Sequence, residues 1–435
     1  VLEVMRNVPA RLDNAKKNLQ FFIPLWLEPA KAYLDGVREV FEKDIPRWAD
    51  RVPASRDALL AENQKVLAAL DSYGKFLEGD LPRRPVGDWR VGKEVFDHRL
   101  RQEHQIDMDA EAFYAWGRAE YQEQLDVLAR AASRVDRSKS WQEIERKLME
   151  DYPSAESMVY EFHKAVRRTR PWLLEQDLAS IPWDKENAAS AIATPAYYGK
   201  QTFTGFGGAP SGIGSTLPGA VMLAPLDPAW SPERQREFLR AHHLAFIWTL
   251  MPHEVYPGHA LVQLYLNHNP RKLRAVASAY TNQSWCYYVE WVLTPEHGFY
   301  PQDKQALYTV EMERLKLWRY ARVIYDAGMH LGKVSFEEAV DLMTSGVLFP
   351  ERFAALQVMS ATHGYGNAGI ATLGYHQVVA LRDEYFAAML ARGRAGTLKD
   401  FHDRFLRTGM LPMKLQREAL LHDIDREGPA AATSN

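Results

Sequence analysis

The residue types best suited to chemistry lie close together in the stretch Met251-Pro252-His253-Glu254-Val255-Tyr256-Pro257-Gly258-His259. An adjacent His and Glu are what a zinc-hydrolase helix uses: the imidazole binds the metal and the carboxylate serves as base toward water. In the usual H-E-x-x-H pattern the two imidazoles stand four residues apart, about 400° around the helix, so both face one metal. Here Pro257 fills that place, and His259 follows six residues after His253. Six residues are about 600°, which leaves the second ring roughly 120° off the face of the first on a regular helix. Pro257 has no N–H to bond the His253 carbonyl and Gly258 loosens the backbone, so the sequence favours a wide turn or bulge that returns His259 to the metal. The competing reading is a helix that stops at Pro-Gly, with His253 and Glu254 as ordinary polar residues of its last turn.

Several elements must position this stretch. Ser231 and Pro232 open the helix that leads into it, as N-cap and first residue. On that helix the neighbouring His242 and His243 point to different faces, so at most one can look toward a metal. The next helix, Ala275–Pro295, carries Gln283 and Glu290 seven residues apart and hence on one face. A Glu among aromatic residues needs a partner when buried, and a metal is one such partner. A later helix ends in Arg322, Asp326 and His330, whose four-residue spacing suits an ion-pair ladder. His330 is its candidate for contact with a transition state. The run Gly364-Tyr365-Gly366-Asn367-Ala368-Gly369 has the glycines of a loop that lines a site, with Tyr365 and Asn367 as its polar contributors.

At 435 residues the chain exceeds the size at which one core usually stops growing. A helical N-terminal lobe over 1–188 and a catalytic lobe over 189–435 are expected, or one continuous unit. Pro24, Pro29, Pro46 and Pro53 break the N-terminal helices. A net charge of −3 with mixed signs excludes a nucleic-acid footprint. Mean hydropathy of −0.36 and the lack of a long uncharged apolar run exclude a membrane span. The single cysteine, Cys286, allows no intrachain disulfide and favours a cytoplasmic location. A secreted or periplasmic location fits if a segment precedes Val1. Residues 189–232 are rich in Gly, Pro and aromatics, but no GK[ST] follows Gly205–Gly208 or Ser211–Gly214, so a phosphate loop is not expected. Ala220–Ala224 reads as a short hairpin or edge strand, onto which an extended substrate could add. A disordered tail is expected from Gly428.

Taken together, these segments resemble a bacterial family catalogued as domain of unknown function 885 and grouped with thermolysin-like and thimet-oligopeptidase-like, gluzincin-type metallopeptidases. The resemblance covers nearly the whole chain. It rests on Pro82–Phe96 with Gly87-Asp88-Trp89, His253–His259, Trp285–Glu290, Arg322–His330 with Asp326, Ser335–Ala339, Gly374 with Leu381-Arg382, and Phe401-His402-Asp403 through Gly409–Pro412. It implies a mainly α, multi-helix metallopeptidase-like fold, with a cleft between two helical lobes and a small β-hairpin or sheet near the site. His253 and His259 become metal ligands and Glu254 the general base. Three positions depart from the family pattern. Gln283 stands where a ligating Glu is expected, leaving Gln283 or Glu290 as the third ligand. Asn367 and Ala371 stand where Gln and Tyr are expected. Loss of a Tyr that steadies an oxyanion would cost on the order of a hundredfold in rate, unless Tyr365, Tyr375, His363 or His376 replaces it.

The expected function is a zinc-dependent hydrolase of peptide or small amide bonds, with Tyr256, Asn367 and Arg322 contacting substrate. The alternative is a repurposed member, with other chemistry at Fe²⁺ or Mn²⁺ or with binding and no catalysis. The oligomeric state is open.

Overall fold

The computed structural model describes residues 1–181, 190–193, 204–207, 219–224, 226–271 and 278–427. Ser211–Gly214 and the tail from Gly428 lie outside the described residues. The fold is mainly helical, as expected, with one small sheet.

The chain divides into two units: Val1–Trp89 with Ala193–Thr204 and Leu223–Pro225, and Arg90–Ile192 with Gly205–Met222 and Leu226–Asn435. The boundary expected near residue 188 is therefore corrected, because the helices between 110 and 175 belong to the larger unit. The first unit contains α1 (Leu2–Asn18), α2 (Pro24–Glu39), α3 (Ile45–Asp50) and α4 (Arg56–Lys75). Met5, Ile45, Ala49, Leu59, Val66 and Leu70 form its core. Pro24 opens α2 as expected, whereas Pro29 lies within that helix and does not break it.

The larger unit begins with α5 (Gly92–His98), α6 (Ala110–Val135), α7 (Trp141–Leu148) and α8 (Met158–Glu175). It continues with α9 (Pro232–Ala241), α10 (Leu244–Glu254), α11 (His259–Asn267), α12 (Ala279–Tyr288) and α13 (Gln305–His330). It ends with α14 (Phe336–Thr344), α15 (Glu351–His363), α16 (Ile370–Leu390), α17 (Leu398–Thr408) and α18 (Met413–Arg426). The helix starts are written in the sequence. Ser140 with Glu143 and Ser335 with Glu338 form capping boxes, and Asp109 and Ser231 cap α6 and α9. The long pair α6 and α13 packs along its length. Gln124 Nε2 donates to the Glu313 carbonyl at 3.0 Å and to its carboxylate at 2.7 Å. This pairing binds residues 110–135 to the C-terminal half.

The strands β1 (Ser190–Ala193), β2 (Thr204–Gly207) and β3 (Ala220–Leu223) form a sheet in the order β1-β3-β2. The expected edge strand, β3, is thus central. Both of its hydrogen-bonding edges are taken, so an added substrate strand has no place on it.

The N-terminus of α10 is fastened by a buried ionic cluster. His243 caps the helix by accepting the Phe246 N–H at Nδ1 (3.4 Å), so Nε2 carries the proton and faces Glu145 Oε1 at 3.4 Å and Glu311 Oε1 at 3.7 Å. Arg314 lies between the carboxylates, with Nε 2.7 Å from Glu311 and 3.0 Å from Glu145. Burial, opposed by Arg314 and reinforced by Glu145, raises Glu311 to about 7. Burial raises Glu145 as well, and lowers His243 to about 4. Two carboxylates against one guanidinium therefore hold a proton that an exposed pair would release.

The pH dependence follows from these signs. Glu311 ionises near 4.5 when unfolded and about 7 when folded, so its contribution to stability is full at acid pH and is lost as pH rises through 7. His243, lowered from 6.5, has the opposite sign, and its contribution is complete above that pH. Denaturant titrations between pH 6.5 and 8 should show the wild type losing stability. Glu311→Gln, which leaves Glu145 alone with Arg314, should flatten the slope; an unchanged slope would place the shared proton elsewhere.

Candidate metal centre

The residues of the His253–His259 turn explain its path. α10 ends at Glu254, where the Val255 N–H closes the last turn on the Met251 carbonyl. The Gly258 N–H bonds the Pro252 carbonyl at 3.0 Å, and α11 begins at His259. A Cβ on Gly258 would sit 1.8 Å from the His253 carbonyl oxygen, so only glycine permits this approach. The backbone is thus a helix end rather than a bulge within a helix. A second helix nonetheless starts at once and brings the rings together, with centroids 5.0 Å apart and planes at 77°.

Contacts on the outer side of each ring set what the inner side offers. His253 Nδ1 lies 2.8 Å from Glu290 Oε2, and a carboxylate here accepts, so Nδ1 carries the hydrogen. The lone pair is then on Nε2, which accepts from Gln283 Nε2 at 2.9 Å. His259 Nδ1 donates to Asn282 Oδ1 at 2.9 Å, which leaves its lone pair on Nε2 too, and Gln283 also contacts this ring. Burial and the neighbouring His253 lower His259 to about 3, so it stays neutral at physiological pH. Two imidazoles with Nδ1–H held by Glu290 and Asn282 and lone pairs on Nε2 match the donors that divalent transition metals take.

α12 and the turn that continues it supply these contacts. Asn282, Gln283, Cys286 and Glu290 fall on one stripe by their spacing. The wider turn at Val289–Leu293 carries Glu290. Trp285 Nε1 donates to the Pro257 carbonyl at 2.9 Å and so ties the turn to α12. Glu290 is fully buried, with Arg319 at 3.6 Å and the Trp291 indole N–H at 3.1 Å. Burial alone would raise its carboxyl, but Arg319 and His253 outweigh that and hold it below the usual range. The expectation of Glu290 as third ligand is corrected: it sits on Nδ1, the far side of His253 from Nε2. Gln283 is on the inner side. Glu254, buried at the end of α10, lies close enough to Cys286 for burial and the Glu254 and Glu290 charges together to push the thiol well up.

Other expected residues lie elsewhere. Arg322, Asp326 and His330 do not form a ladder, since each has different partners. Arg322 bonds the Tyr287 hydroxyl at 3.0 Å and Gln357, and Tyr287 packs on His253 at 5.5 Å. Arg322 therefore supports a neighbour of the ring. Asp326 accepts the N–H groups of Gly366, Ala368 and Gly369 at 2.9–3.1 Å and fastens the glycine loop. His330 accepts from the Val91 N–H at 3.3 Å and donates to the Ala361 carbonyl at 3.0 Å. It lies about 16 Å along α13 from Arg319 by helical rise, with both nitrogens engaged, so its expected place at a transition state is corrected. Tyr365 packs on His330 and Phe96 beneath Arg99, and Asn367 accepts from Arg99 at 3.2 Å. Tyr375 packs edge-on to Trp291 at 4.6 Å, and burial pushes its hydroxyl up to about 12. Tyr256 is buried rather than presented to a substrate. Neither His242, which donates to the Phe238 carbonyl at 2.8 Å, nor His243 faces the pair.

Two clusters among the described residues have the spacing for a metal: His253, His259 and Cys286, and Glu145, His243 and Glu311. In the second, Arg314 already supplies the cation. In the first, Cys286 was missed because a lone cysteine speaks first to redox compartment. Its place three residues after Gln283 was the available signal.

Comparison with known proteins agrees with the helical architecture. A protein from Shewanella oneidensis, described as a candidate lipoprotein of unknown function, matches with a TM-score of 0.73 at 20% identity, over 97% of this chain and 77% of that one. A candidate lipoprotein from Colwellia psychrerythraea matches with a TM-score of 0.72 at 18% identity, over 86% of this chain and 63% of that one. At these identities the likeness concerns the fold. No curated protein matches the sequence. The model of one family, however, matches residues 1–420, and the chain belongs to that family: bacterial protein of unknown function, DUF885.

Proposed function

We propose that this chain is a metal-dependent hydrolase of peptide or small amide bonds, related in site chemistry to gluzincin-type metallopeptidases. The observation that supports it is the pair of inward Nε2 lone pairs, on rings whose outer nitrogens are committed to Glu290 and Asn282. Zn²⁺ suits two imidazole ligands better than Mn²⁺, with Fe²⁺ between them. A divalent ion held there would polarise a scissile carbonyl and acidify water. Glu254 follows His253 directly and takes the role of general base, receiving a proton from water and returning it to the leaving amine. Glu290 and Asn282 keep the ring tautomers fixed, and Arg319 stabilises the Glu290 charge. Tyr287 and Arg322 hold the His253 ring from its flank.

Location in the cell envelope forms part of this reading, in place of the cytoplasmic location expected from cysteine usage. It rests on the lipoprotein descriptions of the two structural neighbours. Among the described residues, no helix is long and apolar enough to cross a membrane.

One observation favours a second reading. The Gln283 amide donates to the His253 lone pair, a contact that competes with a metal. A repurposed, binding or non-catalytic member would retain it.

Elemental analysis of protein purified without chelator should find about one zinc per chain under the first reading, the usual content of a mononuclear site. His259→Ala should lose it. Absence of metal even after incubation with zinc would favour the second reading. Glu254→Gln should keep its metal and lose turnover of a peptide panel by about a hundredfold or more; full activity would remove Glu254 as the base. Glu290→Gln should weaken zinc affinity by roughly 10–100-fold, since the amide no longer fixes Nδ1–H with a charge. Equal affinity in a competition titration would show that the carboxylate does not orient the ring.

A further inference from the structure

We infer that Cys286 is the third protein ligand of the His253–His259 centre, making it a His₂Cys site for a thiophilic divalent cation such as zinc. The inference rests on the metal reading above and adds to it the ligand that sequence spacing left open. Neither earlier candidate fills the place well. Glu290 is occupied at Nδ1, behind His253, and Gln283 brings only a neutral amide, a weak partner for zinc.

Cys286 is placed for the role. Its sulfur and a nitrogen from each imidazole all lie within 4.8 Å of one another. Bonds of about 2.0–2.3 Å in a tetrahedral zinc site put ligand atoms about 3.5 Å apart, so contraction by about an ångström completes the set. The side chain is fully buried and stands on the stripe of α12 that faces both rings. Its sulfur makes a weak polar contact, 3.8 Å from Asn282 Oδ1, the oxygen that also accepts from His259 Nδ1. On binding, the S–H bond gives its proton to solvent and its electron pair to the ion. A thiolate beside two imidazoles selects zinc or cobalt over magnesium or manganese. The single negative charge that a gluzincin takes from a Glu would then come from sulfur.

The full-length chain, stripped of metal and titrated with Co²⁺, tests this. The expected result is one cobalt bound with a thiolate-to-cobalt charge-transfer band in the near ultraviolet. Cys286 is the only cysteine in the chain, so the band can have no other protein source. Cys286→Ser and Cys286→Ala should lose the band and bind cobalt about a hundredfold or more weakly, whereas Gln283→Ala should keep it. Thermal unfolding of both cysteine variants checks that the loss is not one of fold, and the wild-type spectrum decides even if they fail to fold. Stoichiometric cobalt without the band, abolished by His259→Ala, would overturn the cysteine ligand and leave the metal reading standing. Failure of the wild type to bind cobalt or zinc at all would overturn both.

Discussion

The contact between the Glu290 carboxylate and Nδ1 of His253 decides what the centre can offer. It fixes the tautomer of the ring and turns the Nε2 lone pair inward. A charged carboxylate at zero exposure would be costly alone, and Arg319 and the Trp291 indole offset that cost. Removing one partner of such a buried pair typically costs about 3–5 kcal/mol, much of it the isolation of the charge left behind. The pair is therefore evidence for a maintained geometry more than for net stability. Its position depends on the wider turn after α12, which carries Glu290 on the stripe that also holds Asn282, Gln283 and Cys286.

The helix that bears His253 is held at both ends by charge. At its start, His243 joins it to Glu145, Glu311 and Arg314. At its end, His253 joins it to Glu290 and Arg319. Both Arg314 and Arg319 project from α13, so one long helix anchors both ends of α10. Packing of α6 against α13 completes this frame. The Pro-Gly turn is then caught between α10 and the Trp285 indole, and Gly258 allows the approach that this requires.

Helical class, cap positions and the pairing of His253 with His259 were legible in the sequence, because each follows from local rules: capping residues, periodicity and a metal-binding residue pattern. The path of the turn was less so. Pro257 and Gly258 signalled an irregularity, but its form depends on the close approach of the His253 carbonyl, which is tertiary. Arg322, Asp326 and His330 misled for a related reason. Four-residue spacing places side chains on one face without naming their partners, and groups far away in sequence, on helices α12 and α15 and in the glycine loop, claimed all three. Asp326 took three backbone N–H groups, an interaction no spacing rule detects. Glu290 was rightly marked as needing a buried partner, yet periodicity could not say that the partners would be His253, Arg319 and Trp291. The strand at 220–223 reads from sequence as a hairpin or edge strand, and its central place in the sheet is not legible there because pairing order, unlike strand propensity, is not local.

The Trp285 bond to the Pro257 carbonyl bears on how folding and the proposed metal binding would be coupled. In small zinc domains the ion collects ligands from a disordered chain, so binding energy is spent on ordering and chelation unfolds the protein. Here the turn between the two histidines is already fastened by an indole, a glycine contact and two capped imidazoles. The ordering cost is met by the surrounding helices. Under the proposed metal reading, ion exchange would be a local ligand equilibrium on a folded scaffold, and occupancy would follow the supply of metal around the protein without threatening the chain that receives it.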